Sequence, residues 1–167
     1  MVDNSLRVTQ KLLIHSEAFF VNYIDINYIE QCLAIENTVD KVRSVRSAKD
    51  FQDMLKAYKC FGLFNDKNEL ISFAFFSTVI DEAELLDINL IQNLHSKGIG
   101  SAFLKHCFML LKQDGINDII LEVATDNLQA IKAYQKFEYQ QIGIRKNYYT
   151  NNDGSKTDAL VYKINIF

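Results

Sequence analysis

The spacing of apolar positions changes several times along the chain, and each change marks an element. Residues 19–24 (Phe-Phe-Val-Asn-Tyr-Ile) read as a strand, and residues 27–35 as a short helix that turns Ile29, Leu33 and Cys32 inward. Ser47 and Asp50 stand at the spacing of a capping box, in which each side chain bonds the other's backbone N–H, so a second helix opens there and runs through Tyr58. The period then drops from about 3.6 to 2. Residues 60–64 and 69–80 form a hairpin turned at Asp66-Lys67-Asn68, and the second strand is apolar on both faces, as a central strand must be. Residues 85–91 supply a further strand. Helical spacing returns with Ile99, Phe103, His106 and Leu110, while Lys105, Lys112 and Gln113 fall outside that stripe. Gly115 stops this helix, residues 118–123 form a short apolar strand, and residues 127–137 a second amphipathic helix. Two closing strands, 139–149 and 157–166, flank an Asn-Asp-Gly turn. The order βααβββαβαββ predicts an α/β or α+β sheet with helices on both sides.

Composition narrows the class. The chain has 167 residues with 49% hydrophobic and 23% charged, which is the make-up of one ordinary domain, 1–167, with residues 1–18 an extension of unassigned role. A chain of this length buries roughly 70% of the surface its unfolded form exposes, so its core needs neither a metal nor a disulfide. A formal charge of -3 argues against a nucleic-acid binder. Cys32, Cys60 and Cys107 are odd in number and far apart, so they read as reduced, buried thiols rather than a metal knuckle or a disulfide framework. The first 20 residues carry Asp3, Arg7, Lys11, His15 and Glu17 and lack the apolar core of a signal peptide, and no apolar run reaches membrane-spanning length. The expected address is the cytoplasm, with no membrane partner, and the expected state is a monomer or weak dimer.

Two places carry chemistry. His95-Ser96-Lys97-Gly98-Ile99-Gly100 lies between a strand and the best-defined helix, where backbone N–H groups and the positive end of the helix dipole gather. Gly98 and Gly100 let the main chain approach a bulky anion and Lys97 adds charge; the same two glycines also suit a plain strand-to-helix turn. The segment matches neither the triphosphate loop nor the three-glycine dinucleotide fingerprint. Glu122 interrupts the apolar strand 118–123 and faces away from Ile119, Leu121 and Val123. A carboxylate in a central strand is either paired with a cation on a neighbouring strand or serves as a base in a cleft. Tyr134, in line with Ala130, Ile131 and Phe137, reads by itself as a core aromatic first. Cys107 beside His106 is no catalytic pair, because adjacent helical residues point about 100° apart.

These residues resemble the GNAT superfamily of acetyl-CoA-dependent N-acetyltransferases, whose central helix opens with Gln/Arg-x-x-Gly-x-Gly/Ala. Residues 95–100 match it apart from His95. Leu121-Glu-Val-Ala-Thr-Asp-Asn127-x-x-Ala130-Ile-x-x-Tyr134 resembles that family's next strand and helix. Arg145-Lys-Asn-Tyr148-Tyr149, with Asp153-Gly154 and Asp158-Ala159, is similar to the closing hairpin of the protein N-terminal acetyltransferases, most closely the bacterial group acting on a ribosomal-protein alanine.

The resemblance implies a mixed, mostly antiparallel sheet in which two splayed parallel strands admit acetyl-CoA. The pantetheine would pair with the backbone of Ile88, Asn89 and Leu90 as a false strand and with Asn127, and the pyrophosphate would rest on residues 95–100. Glu122 would be the general base and Tyr134 the general acid, with Tyr148 and Tyr149 walling the groove for a protein N-terminus; no metal takes part. Acetyl transfer to a small amine, or acyl-CoA binding without catalysis, stands as the alternative. The chain departs from the family pattern at Gln92, Glu138 and Thr150, and at Val45-Arg46 where Pro-Trp is common.

Overall fold

The computed structural model describes residues 10–38 and 46–166, so Val45 and the first nine residues of the amino-terminal extension lie outside the described residues. In chain order the elements are β1 (Gln10–Ile14), β2 (Glu17–Tyr23), α1 (Ile29–Asn37), α2 (Ala48–Ala57), β3 (Lys59–Phe64), β4 (Leu70–Val79), β5 (Glu82–Leu90), α3 (Ile99–Gln113), β6 (Asp118–Ala124), α4 (Leu128–Tyr134), β7 (Tyr139–Thr150) and β8 (Lys156–Asn165). The strands form one sheet in the order β1-β2-β3-β4-β5-β6-β8-β7. Every neighbouring pair is antiparallel except β5 and β6.

The sheet separates two apolar layers. Alternation along β4 sends Ala74 and Phe76 into a layer with Phe103, Cys107 and Phe108 of α3, and Phe73 and Phe75 into a layer with Cys32 and Ile35 of α1 and Phe51 and Leu55 of α2. Edge-to-face packing of Phe51 on Phe73, with ring centres 5.5 Å apart, fixes α2 on its layer. The capping box is present, with Ser47 N–H donating to Asp50 Oδ2 at 2.7 Å and Asp50 N–H to Ser47 Oγ at 3.2 Å. The buried thiols are inert: burial pushes Cys32 and Cys60 up to about 12 and holds Cys107 well above its ordinary value, so none is a thiolate near neutral pH.

Four expectations change. A strand, β1, precedes the first one expected; its hairpin turns on His15 and Ser16, both at positive φ, without the Gly or Asn that would announce such a turn. The strand expected over 85–91 begins three residues earlier, at Glu82. The inward face of α3 is Ile99, Phe103, Leu104, Cys107, Phe108 and Leu111, so His106 and Leu110 sit at its margin; the His106 Nδ1 lies 3.2 Å from the Ala102 carbonyl one turn back. Finally α4 ends at Tyr134, because Lys136 and Phe137 N–H turn onto the carbonyls of Ala133 and Tyr134 and Phe137 folds against Phe108, 5.1 Å between ring centres.

Candidate active site

The parallel pairing of β5 and β6 runs only from Glu82–Asp118 to Leu85–Leu121. Beyond it β5 continues to Leu90 and β6 to Ala124 with no ladder between them, so the sheet opens in a cleft. Ile91 N–H bonds the Ile71 carbonyl and the Asn89 carbonyl accepts from Ser72 Oγ at 2.7 Å, so the peptides of Asn89 and Ile91 face β4. Alternation turns those of Ile88 and Leu90 the other way, into the cleft. Of the three residues named for their backbone, Ile88 and Leu90 turn their peptides toward the cleft, with the Leu90 carbonyl taken by the His95 ring, whereas Asn89 faces β4 and spends its side chain on Asp87, Nδ2 to Oδ2 at 2.7 Å.

The cleft runs down to the start of α3. Ser96 and Gly98 both take positive φ, and Gly98 caps the helix in the left-handed region with no side chain bonded to the first N–H groups. No acidic residue lies in the first turn, which leaves the donors and the helix dipole open to an anion. A Cβ at Gly100 would meet only Leu90 at 4.0 Å, so space is open there. The His95 ring is turned inward, with Nε2 2.7 Å from the Leu90 carbonyl, and His15 Nε2 lies 3.1 Å from the Lys97 carbonyl, tying the β1–β2 turn to the same loop. A cation the sequence did not point to also arrives: Lys136 Nζ stands 3.7 Å from where a Cβ on Gly98 would be. Nothing local signals Lys136, since the end of α4 is brought there by tertiary packing.

At the other end Glu122 is held by side chains. Its carboxylate is 9% exposed and pairs with Arg145 Nε at 2.7 Å across β8. Tyr148 hydrogen-bonds the same carboxylate, and that bond, with burial and the negative charge, raises the Tyr148 phenol above its usual value. The Tyr148 ring also lies beneath the Arg145 guanidinium, 5.3 Å from its centre, and packs edge-on against Tyr149. Tyr149 Oη donates to the Glu122 carbonyl at 3.4 Å. A β-bulge aims these groups: between Arg145 and Tyr149 the register slips, Asn147 takes positive φ, and the Asp158 carboxylate accepts from Asn147 N–H and Lys146 Nζ, both at 2.8 Å. Those bonds hold the Asp158 carboxyl below the usual carboxylate range.

Tyr134 belongs to the larger apolar layer. It is buried at the end of α4, and burial, followed by the negative field of Asp87 and Tyr149, raises its phenol above the usual tyrosine value, so it carries its proton. Asp87 is oriented by Arg46, Nη1 to Oδ2 at 2.6 Å, and Arg46 also reaches Glu36 on α1 at 3.6 Å. Asn127 caps α4, its Oδ1 accepting from Ala130 N–H at 3.1 Å, which leaves the amide NH2 as its free polar group. Among the described residues no cluster of His, Cys, Asp or Glu is suited to a metal, and no helix is long and apolar enough to cross a membrane.

A sheet that opens between two parallel strands, with a helix N-terminus at one end of the opening, defines the class, and residues 27–139 match the acetyltransferase (GNAT) family: the chain belongs to that family. It is similar to the [ribosomal protein bS18]-alanine N-acetyltransferases of Haemophilus influenzae, 34% identical over 58% of this chain and 65% of that one, and of Escherichia coli K12, 33% identical over 59% and 66%. The alignment thus spans just under two thirds of these relatives. The crystal structure of the ribosomal-protein-S18-alanine N-acetyltransferase from Escherichia coli superposes with a TM-score of 0.80 at 27% identity, covering 89% of this chain and 94% of that one. A spermidine N-acetyltransferase chimera that includes Vibrio cholerae sequence shares the fold, with a TM-score of 0.77 at 14% identity over 88% and 95% of the two chains.

Proposed function

We propose that this chain transfers the acetyl group of acetyl-CoA to the α-amino group at a protein N-terminus, the acceptor being an alanine of a ribosomal protein. The observation that carries acetyl transfer is the backbone edge of β5 beyond its pairing with β6, at Ile88 and the Leu90 N–H, leading onto the N-terminus of α3, which no side chain caps. An extended amide chain adds to such an edge as a strand, and a pyrophosphate suits such a helix end. Ile88, Leu90 and the Asn127 amide NH2 would hold the pantetheine, and residues 95–100 with Lys136 the phosphates. The likeness to the bS18-alanine enzymes supports the choice of acceptor.

Bound acetyl-CoA supplies a thioester carbonyl open to a nucleophile. Glu122 takes the proton from the acceptor's ammonium ion, since only the neutral amine has a lone pair. Tyr134, kept protonated by burial, gives its proton to the departing thiolate sulfur. Tyr148 and Tyr149 line the approach of the acceptor's first residues. A panel of peptides beginning with alanine, set against polyamines, tests the reading with acetyl-CoA as donor. Acetylation of the peptides is expected; turnover of polyamines alone would overturn the protein acceptor, and turnover of neither would overturn acetyl transfer to amines.

A further inference from the structure

Glu122 already holds a cation. The Arg145 guanidinium meets its carboxylate at 2.7 Å and lies over the Tyr148 ring. These are the groups that would hold an alkylammonium ion: an anion, a hydroxyl on that anion and an aromatic face. The Arg145 side chain is 58% exposed and anchored only at its tip, so it can leave without disturbing the core. Glu122 is nearly buried and fixed on β6, and its carboxylate cannot follow.

We infer that Arg145 occupies the seat of the acceptor's ammonium, so that acceptor binding exchanges one cation for another on Glu122. This rests on the reading of Glu122 as the residue the acceptor amine meets. The exchange has two consequences. An acceptor must present a positive charge to displace Arg145, so a neutral amide or an already acetylated terminus does not enter. Arg145 also lowers the apparent affinity for every acceptor, by a factor of about five if it contributes what a strong exposed ion pair does. The bulge held by Asp158 makes the arrangement possible by placing Arg145 and Tyr148 on the same side of β7 as Glu122.

The Arg145 Nε–H resonance in a 15N-correlated NMR spectrum, assigned by its loss in Arg145→Lys, reports the pair without turnover. It is expected to be protected from exchange in the free protein and unprotected in Glu122→Gln. Titration with L-alaninamide is expected to release it, whereas N-acetyl-L-alaninamide, which carries no ammonium, is expected to leave it protected. A signal that alaninamide does not move would overturn the exchange. In steady state, Arg145→Ala is expected to lower the KM for an alanine peptide about fivefold, with the acetyl-CoA KM unchanged, and added ethylguanidinium is expected to raise the peptide KM again by competition. An increase in peptide KM on Arg145→Ala would overturn it too. Full turnover by Glu122→Gln would instead remove the assignment of Glu122 on which the exchange rests, so the two failures are separable.

Discussion

At the end of the cleft formed by residues 88–100 the groups on offer belong to the backbone, chiefly peptide N–H groups, because β5 outruns its pairing with β6 and Gly98 turns left-handed before α3. At the Glu122 end they are side chains held by other side chains: Glu122 by Arg145 and Tyr148, Asp87 by Arg46, and the bulge by Asp158. Backbone donors are common to any sequence that adopts the fold. Side-chain partners are particular to this one. On the proposed function the first end would take the co-substrate shared by a whole family and would tolerate His95 in place of the usual Gln or Arg, whereas the second would tell one acceptor from another.

That contrast can be broken most sharply at Glu122. Glu122→Gln keeps the shape and removes the proposed base, and kcat/KM for a peptide acceptor is expected to fall by about 10²–10⁴, with acetyl-CoA binding by calorimetry unchanged. A parallel loss of acetyl-CoA affinity would show that the two ends are not independent. Next in size is Gly98→Val, which forces a β-branched residue into the left-handed region at a strain of roughly 1–2 kcal/mol or more. The acetyl-CoA KM is expected to rise about tenfold, as that strain implies, with the acceptor KM unmoved.

Asp158→Ala removes both anchors of the bulge, so Arg145 and Tyr148 lose their aim and the peptide KM is expected to shift by a few-fold while the acetyl-CoA KM holds. The same anchors predict a pH dependence. A carboxyl depressed in the folded state contributes its stabilisation above its unfolded pKa and loses it as pH falls through the folded one. The ordering of the bulge, followed by the Asn147 amide resonance, is therefore expected to persist through neutral and mildly acid pH and to fail only below the usual carboxylate range. The smallest effect belongs to Lys97→Ala, which removes one exposed charge beside the loop. It is expected to raise the acetyl-CoA KM about two- to threefold at low salt and less at high salt, since the backbone donors remain.

Much of the fold was legible in the sequence because its signals are local. The Ser47–Asp50 box, the alternation of β4 and the Gly98-x-Gly100 turn each state their own structure within a few residues. β1 was illegible because its turn uses His15 and Ser16 at a conformation their types seldom adopt. Glu122 was legible as an anomaly in an apolar strand, and of the two readings it allowed the structure gives it the cation partner, Arg145, while the base belongs to the proposed function. Lys136 near Gly98 and Arg46 on Asp87 were not legible, because each pair is joined across 38 or more positions by packing alone.

The sequence by itself determined most of the elements and marked Glu122 and the Gly98-x-Gly100 turn as places of unusual chemistry, because hydrophobic period, capping and turn preference act between near neighbours. Only the tertiary structure decided which strands stand side by side. The insertion of β8 between β6 and β7 puts Arg145 and Tyr148 over Glu122, and the short parallel pairing of β5 with β6 opens the cleft. Those outcomes depend on the burial of two whole layers against one sheet, a property of the assembled core that no short stretch of chain contains.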